Sequence, residues 1–187
     1  MNAPWNDRLP QNVEVCGEKY KIRSDYRAVL DICSALTDPN LTDEDKAVVA
    51  LDIFYPSFEN MPVEHYQEAL EKCYWFIDCG DVERTNKELP RLVDWEQDFQ
   101  YIVAPINHVC GQEIRSVEYL HWWTFMSAYM EIGGSTFAQI VRIRSLKAKG
   151  KKLDKADQEW YKQNRHLVDF KQIYTETEKD ILKNWGV

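Results

Sequence analysis

The chain has 187 residues, of which 44% are hydrophobic and 13% aromatic, and this composition excludes collagen-like, low-complexity and intrinsically disordered proteins. Seven Trp, ten Tyr and seven Phe supply enough apolar area for a sizeable core. The formal net charge of -8 disfavours nucleic acid and anionic membranes as partners, because both attract an excess of Lys and Arg.

The charge is distributed unevenly along the chain. Residues 1–141 contain 11 Lys and Arg against 24 Asp and Glu, a net charge of -13, whereas residues 142–187 have a net charge of +5. An acidic front and a basic tail attract each other, so two copies of the chain could associate head to tail. Self-association of the chain is therefore one of the interactions that the sequence suggests.

The sequence contains no membrane or secretion signal. No stretch reaches the roughly 20 apolar residues of a membrane span, and the first ten residues lack the basic and then apolar order of a signal peptide. The five cysteines are an odd number without close pairs, which is typical of reduced thiols on apolar faces. We expect no membrane association and a cytoplasmic protein.

The predicted elements begin with a short β-hairpin in residues 1–23. Apolar and polar residues alternate there on either side of Gly17, which is the pattern of two strands joined by a tight turn. The pattern after the hairpin is helical. Ser24 or Asp25 can cap a first helix that continues to about Leu36.

Two further helices are predicted before a polar loop. Thr42, with Asp45 three residues later, resembles a capping box for a helix over residues 43–54. Another helix begins after Pro62 and has a natural end at Gly80. The polar residues that follow, up to position 93, look like a connecting loop.

The next predicted helix covers residues 94–110 and is amphipathic. Its apolar residues fall within one arc of roughly 120°, and Gly111 ends it. Pro105 removes one backbone hydrogen bond, so we expect a kink or a break there. Asp94 and Asp98 share a face that general acid–base chemistry could use, although a solvated acidic face explains them more simply.

Four more helical segments complete the predicted fold. Ser116 is the expected cap of a helix over residues 117–132, and a Gly-Gly-Ser junction separates that helix from one over residues 136–148. The tail contains a helix capped by Asp154 and a last helical turn around residues 177–185. The sequence thus predicts a mainly α fold, in which the whole chain, residues 1–187, is a single helical domain of about six to eight helices.

No set of residues indicates an enzymatic reaction. The four histidines are scattered over separate helices without the spacing of metal ligands, and nucleotide-binding and nucleophile motifs are missing. The junction Gly133-Gly134-Ser135 could hold an anion at a helix start, but such a triplet is more often only a junction. We expect no catalytic residues, no metal and no cofactor.

The helix predicted over residues 117–132 has aromatic and Met side chains over more than half of its circumference. It is either the central core helix of the domain or a groove for a partner, since Met and aromatic side chains favour adaptable apolar recognition. Both interpretations can hold at once. The candidate partner-binding residues are Tyr119, Trp122, Trp123, Phe125, Met126, Tyr129 and Met130.

The basic C-terminal helical segment, residues 142–187, opens with six basic residues in eleven and no acid. These residues could bind nucleic acid, an acidic partner or the acidic front of another copy. Alternatively, they interact with the dipole at a helix C-terminus and continue into a solvated linker. Aromatic residues for stacking on a single strand are missing here, which disfavours nucleic acid as a partner. This basic patch consists of Arg142, Arg144, Lys147, Lys149, Lys151 and Lys152.

One segment of the sequence has a rare and specific pattern. In residues 118–125 a histidine is followed directly by two tryptophans, and Phe137, Ile140 and Arg144 follow at a fixed spacing. With these segments, and with residues 20–27, 51–56, 75–80, 94–102 and 157–162, the sequence resembles the bacteriophage Gp15 family over most of the chain. Pro105 and the stretch over residues 175–187 depart from the resemblance.

The resemblance implies a non-catalytic tail assembly chaperone encoded in a phage tail gene cluster. Such proteins bind the tape measure protein, a very long helical chain, keep it soluble and help to recruit tail tube subunits. The implied partners are the tape measure protein and the tail tube protein, in the cytoplasm of the bacterial host. The alternatives are a nucleic-acid-contacting phage accessory protein that uses residues 142–152, or a structural component of the tail.

Overall fold

The computed structural model describes residues 8–81 and 90–171. These residues form eight α-helices and one two-stranded antiparallel sheet, which confirms the predicted mainly α fold with an N-terminal hairpin. The chain divides into two compact units, each discontinuous in sequence. We call residues 8–81 with 118–126 the N-terminal unit, and residues 90–117 with 127–171 the C-terminal unit.

The N-terminal unit begins with the predicted hairpin. Strand β1 (Asn12–Val15) pairs with strand β2 (Glu18–Lys21), and alternate residues of β1 are buried. The two residues of the turn, Cys16 and Gly17, both have positive φ angles, of 50° and 80°. A two-residue turn of this kind matches the twist of the strands, which explains why the hairpin turns at Gly17 as predicted.

Three helices follow in the same unit, and local caps set where they begin. The Asp25 carboxylate accepts the Arg27 N–H at the start of the first helix, and both hydrogen bonds of the predicted Thr42 and Asp45 capping box are present at the second. The first helix packs against the second, the second against the third, and β1 against the third. The three helices are α1 (Tyr26–Thr37), α2 (Asp43–Phe54) and α3 (Tyr66–Ile77).

The C-terminal unit starts with helix α4 (Trp95–Cys110), which ends at Gly111 in the left-handed conformation with a φ of 67°. The helix continues through Pro105, so the expectation of a break is wrong. Pro105 lies between turns whose residues Ile102 and Ile106 are fully buried. Packing of that face outweighs the loss of one backbone hydrogen bond.

The remaining helices were predicted with one exception. Ser135 and Asp154 cap the helices that follow them, as expected, because each side chain accepts the N–H three residues ahead. The last helix, which is short, had no signal in the sequence. The turn predicted at residues 177–185 and most of the polar loop lie outside the described residues. These helices are α5 (Trp122–Met130), α6 (Thr136–Ala148), α7 (Lys155–Gln163) and α8 (Arg165–Val168).

Candidate partner-binding site

The aromatic helix α5 begins five residues later than predicted. Ser116 is the last residue of a short 3-10 turn, and the residues between that turn and Trp122 are not helical. The expected cap at Ser116 and the N-terminal end of the helix predicted over residues 117–132 are therefore wrong. The C-terminal end, at Met130, lies two residues before the predicted one.

Backbone pairing with a distant segment explains the late start. Residues 24–26 form an antiparallel bridge with residues 120–122, through hydrogen bonds of 2.8 and 2.9 Å. The Asp25 carboxylate also accepts the Leu120 N–H at 3.0 Å. Because these backbone groups are already paired, the helix starts only where the bridge ends.

Trp122 and Phe125 belong to the core of the N-terminal unit. Their exposed fractions are 1% and 0%. The Phe125 ring stacks on that of Tyr26, with ring centroids 4.8 Å apart, and the Trp122 Nε1–H donates to the Ile77 carbonyl at 2.9 Å. Both side chains supply packing and offer no surface to a partner, as the core-helix interpretation expects.

The other candidate partner-binding residues of the N-terminal unit are partly or largely exposed to solvent. Trp123 and Met126 are half-buried, and Tyr119 is 47% exposed. The Trp123 Nε1–H donates to the Phe76 carbonyl at 2.9 Å, and its ring lies so close to Gly80 that a Cβ there would be 3.2 Å away. Gly80 also has a φ of 83°, a backbone conformation that favours glycine, and the close approach of the ring leaves little room for a side chain.

His121 fixes the start of α5, a role that the sequence did not suggest. Its Nδ1 accepts the Trp123 N–H at 3.0 Å. Because that ring nitrogen is an acceptor, the proton lies on Nε2, which donates to the Pro10 carbonyl at 3.0 Å. Burial lowers the pKa of His121, and the hydrogen bond to Pro10 opposes this effect only in part.

This lowered pKa makes stability depend on pH. Because the folded-state pKa lies below that of the unfolded chain, the contribution of His121 is fully present above about pH 6.5 and is lost as the pH falls toward the folded-state value. His121→Asn keeps a small polar side chain at the helix start but does not titrate. We expect the stability advantage of the wild type over H121N to shrink between pH 7 and pH 5, measured by urea unfolding. A constant difference would contradict the neutral tautomer.

The last two candidates, Tyr129 and Met130, line an apolar groove in the C-terminal unit. The groove has a volume of about 480 Å³. The Tyr129 ring packs against Trp95 and Phe137, with centroids 5.3 and 5.8 Å apart, whereas Met130 is 73% exposed. The apolar side chains that line it include Tyr129, Met130, Ile132, Phe137, Val141 and Leu146.

The structure divides the predicted basic patch into two halves. Three of its six residues form ion pairs with carboxylates within the C-terminal unit. Lys149, Lys151 and Lys152 are exposed and form no ion pair with any residue that the structure describes. Only half of the patch is therefore available to an external anion such as a phosphate. The internal pairs are Arg142–Asp157, Arg144–Asp98 and Lys147–Asp169.

Arg144 has the most complete set of contacts. Its guanidinium binds both oxygens of the Asp98 carboxylate, at 2.5 and 3.0 Å, and donates to the carbonyls of Val168, Leu167 and Leu92 at 2.6 to 3.0 Å. All five N–H donors thus have an acceptor. Arg144 is 4% exposed and Asp98 is 0% exposed. This pair connects α4, α6 and α8 in the interior of the unit.

The interpretation of Asp94 and Asp98 as a solvated acidic face is wrong. Both are buried: the Asp94 carboxylate caps α4 by accepting the Gln97 N–H at 2.9 Å, and Asp98 accepts the Asp94 N–H at 2.9 Å in addition to Arg144. The sequence carried a signal for this arrangement, because Asp98 lies one helical turn before the buried Ile102. Its carboxylate therefore had to be paired.

The thiols of the described residues offer little reactive chemistry. Burial raises the pKa of Cys33 to about 11 and that of Cys73 to about 12, so both thiols stay protonated at neutral pH. Cys16 and Cys79 are exposed in turns, not on apolar faces as expected.

In residues 8–81 and 90–171, no group of three or more His, Cys, Asp or Glu side chains could hold a metal ion. No helix there has both the length and the apolar character to span a membrane.

The family match agrees with the resemblance seen in the sequence. Residues 5–170 match the family described as Bacteriophage Gp15 protein, and this range includes both strands and all eight described helices. The curated proteins and the solved structures gave no significant match to the chain. Because the family match covers most of the 187 residues, the chain belongs to the bacteriophage Gp15 family and is a phage protein of structural or assembly-related function.

Proposed function

We propose that this protein is a non-catalytic tail assembly chaperone, which binds the tape measure protein and assists assembly of the tail tube in the cytoplasm of the bacterial host. Family membership gives the phage context. The observation that carries the proposal further is the apolar groove of the C-terminal unit, lined in part by Tyr129 and Met130.

The groove has the chemistry that recognises an amphipathic helix. An exposed apolar stripe on a helix repeats every three to four residues and is buried when it lies in an apolar groove. Met130 supports this mode, because its side chain is 73% exposed and its flexible thioether adapts to different apolar partners. Covering the stripe would keep a long helical client soluble.

The size of the groove favours several copies on one client. A volume of about 480 Å³ accommodates only a few side chains, so each copy would cover a short part of a long helix. Many weak contacts along one chain bind with avidity, yet each single copy dissociates readily. A tail tube subunit could then displace the copies one after another.

Met130→Asp tests the groove directly. When the chain is co-expressed with a tape measure fragment, we expect the wild type to keep the fragment soluble and to co-purify with it. M130D should lose most of this co-purification, because a carboxylate in the groove must be desolvated against an apolar stripe. The fraction of soluble fragment and its ratio to this chain are the measurements.

Val63→Asp is the matched control. Val63 is also 73% exposed but lies in the N-terminal unit, away from the groove residues in sequence. V63D should therefore keep the fragment soluble as the wild type does. If M130D and V63D kept the same fraction of the fragment soluble, the result would contradict the groove as the binding site. Stoichiometric amounts of the chain in purified phage particles would contradict a transient chaperone.

A further inference from the structure

A second groove lies in the N-terminal unit, between β1 and α3. Its volume is about 790 Å³, larger than that of the apolar groove. Carboxylates line both sides, and Val13 and Trp75 provide apolar walls that can cover the hydrocarbon stems of long cationic side chains. We call it the acidic groove, and its carboxylates are Glu14, Glu64, Glu68 and Glu71.

The groove keeps a net negative charge, because four carboxylates and one cation, Lys72, are among the residues that line it. Glu68 accepts the backbone N–H and the thiol of Cys16, at 2.9 and 3.2 Å, and these hydrogen bonds lower the pKa of Glu68 so that it stays ionised. Glu14, Glu64 and Glu71 form no ion pair with any residue in the described ranges. The groove therefore attracts cations.

The strand beside the groove has a free edge. Among the described residues, β1 pairs with β2 alone, so the other edge of β1 has backbone groups available to an extended segment. An acidic groove next to a free strand edge suits a basic segment of another chain, through charge and through backbone hydrogen bonds.

The chain itself carries a short basic segment, which begins with a turn at Lys149 and Gly150 and continues without regular structure through Lys151 and Lys152. Lys149, Lys151 and Lys152 follow the end of α6 in a segment that is neither helix nor strand, and all three are exposed. Residues 149–152 contain no acid, and these lysines have no ion-pair partner among the described residues. Their positive charge complements the negative charge of the acidic groove.

We propose that the acidic groove of one copy binds residues 149–152 of a second copy, so that copies associate head to tail. The groove and the lysine segment are different surfaces, so the contact is heterologous and one copy can engage two neighbours. This association does not depend on the tape measure protein and is testable with the full chain alone.

Reciprocal charge reversal tests the contact. One variant carries Lys149→Glu, Lys151→Glu and Lys152→Glu; the other carries Glu14→Lys, Glu64→Lys and Glu71→Lys. Sedimentation equilibrium of the wild type should show association that weakens as salt rises. Each variant alone should associate at least tenfold more weakly. A mixture of the two should regain association, because the reversed segment of one matches the reversed groove of the other.

A control variant with the same change in net charge separates the groove from general charge effects. Glu44→Lys, Asp52→Lys and Glu59→Lys reverse three exposed acids outside the groove, and this variant should associate like the wild type. Three results would overturn the proposal: a wild type that is monomeric at every concentration in low salt, no recovery in the mixture, or equal weakening by the control variant. Circular dichroism of each variant verifies that it is folded.

Discussion

Replacing Arg144 by methionine is expected to destabilise the C-terminal unit by about 3–5 kcal/mol. The change leaves the fully buried Asp98 carboxylate without its cation and removes the donors of the Leu167 and Val168 carbonyls. Methionine fills part of the space but satisfies none of these groups. The free energy of unfolding from urea titration measures the loss, and faster hydrogen exchange in α4 and α6 would locate it.

The same substitution at an exposed arginine is the control. Arg165 pairs with Asp169 in the same unit, but its side chain is 75% exposed, so R165M should cause only a small fraction of the loss. Adding Asp98→Leu to R144M should recover part of the stability, because the unpaired buried charge is then gone. A similar loss in R144M and R165M would contradict a structural role for the buried pair.

Trp122→Ala should destabilise the N-terminal unit by about 3–5 kcal/mol. The indole is 1% exposed, its ring stacks on Phe125 with centroids 5.4 Å apart, and its N–H donates to the Ile77 carbonyl. Alanine leaves a cavity and an acceptor without its donor. Trp122→Phe keeps an aromatic ring but loses the hydrogen bond, so the stability of W122F should lie between that of the wild type and that of W122A. Thermal and urea unfolding measure the effect.

Met130→Ala on the same helix is the matched control for the tryptophan. With 73% of Met130 exposed, this change should alter stability by no more than about 0.5 kcal/mol. The pair separates two positions that the sequence pattern combined: Trp122 lies in the core, and Met130 is exposed at the apolar groove. A small effect of W122A would contradict its place in the core.

The candidate site was only partly predictable. The aromatic and Met pattern predicted a helix in this segment, but it could not assign Trp122 to the core and Met130 to a groove. That assignment depends on which neighbours cover each face. The basic patch shows the same limit, because a run of six cations looks uniform in sequence while three of them are paired in the fold.

Local interactions explain what the sequence determined by itself. The hairpin turn at Gly17, the capping box of Thr42 and Asp45, and the caps at Ser135 and Asp154 act within a few residues of the chain, so they are visible in a short window. The helical periodicity and the family pattern can likewise be recognised from the sequence alone. Together they determined the mainly α fold and the membership of the bacteriophage Gp15 family.

Contacts between distant residues decided the rest. The start of α5 depends on backbone pairing of residues 24–26 with residues 120–122, and the burial of Asp98 depends on Arg144, 46 positions further along. Neither partner is identifiable in a local window, although an acid and a base on apolar helix faces indicate that partners must exist. Only the tertiary structure pairs them, because a buried charge is tolerated only where the fold brings its counterion into contact.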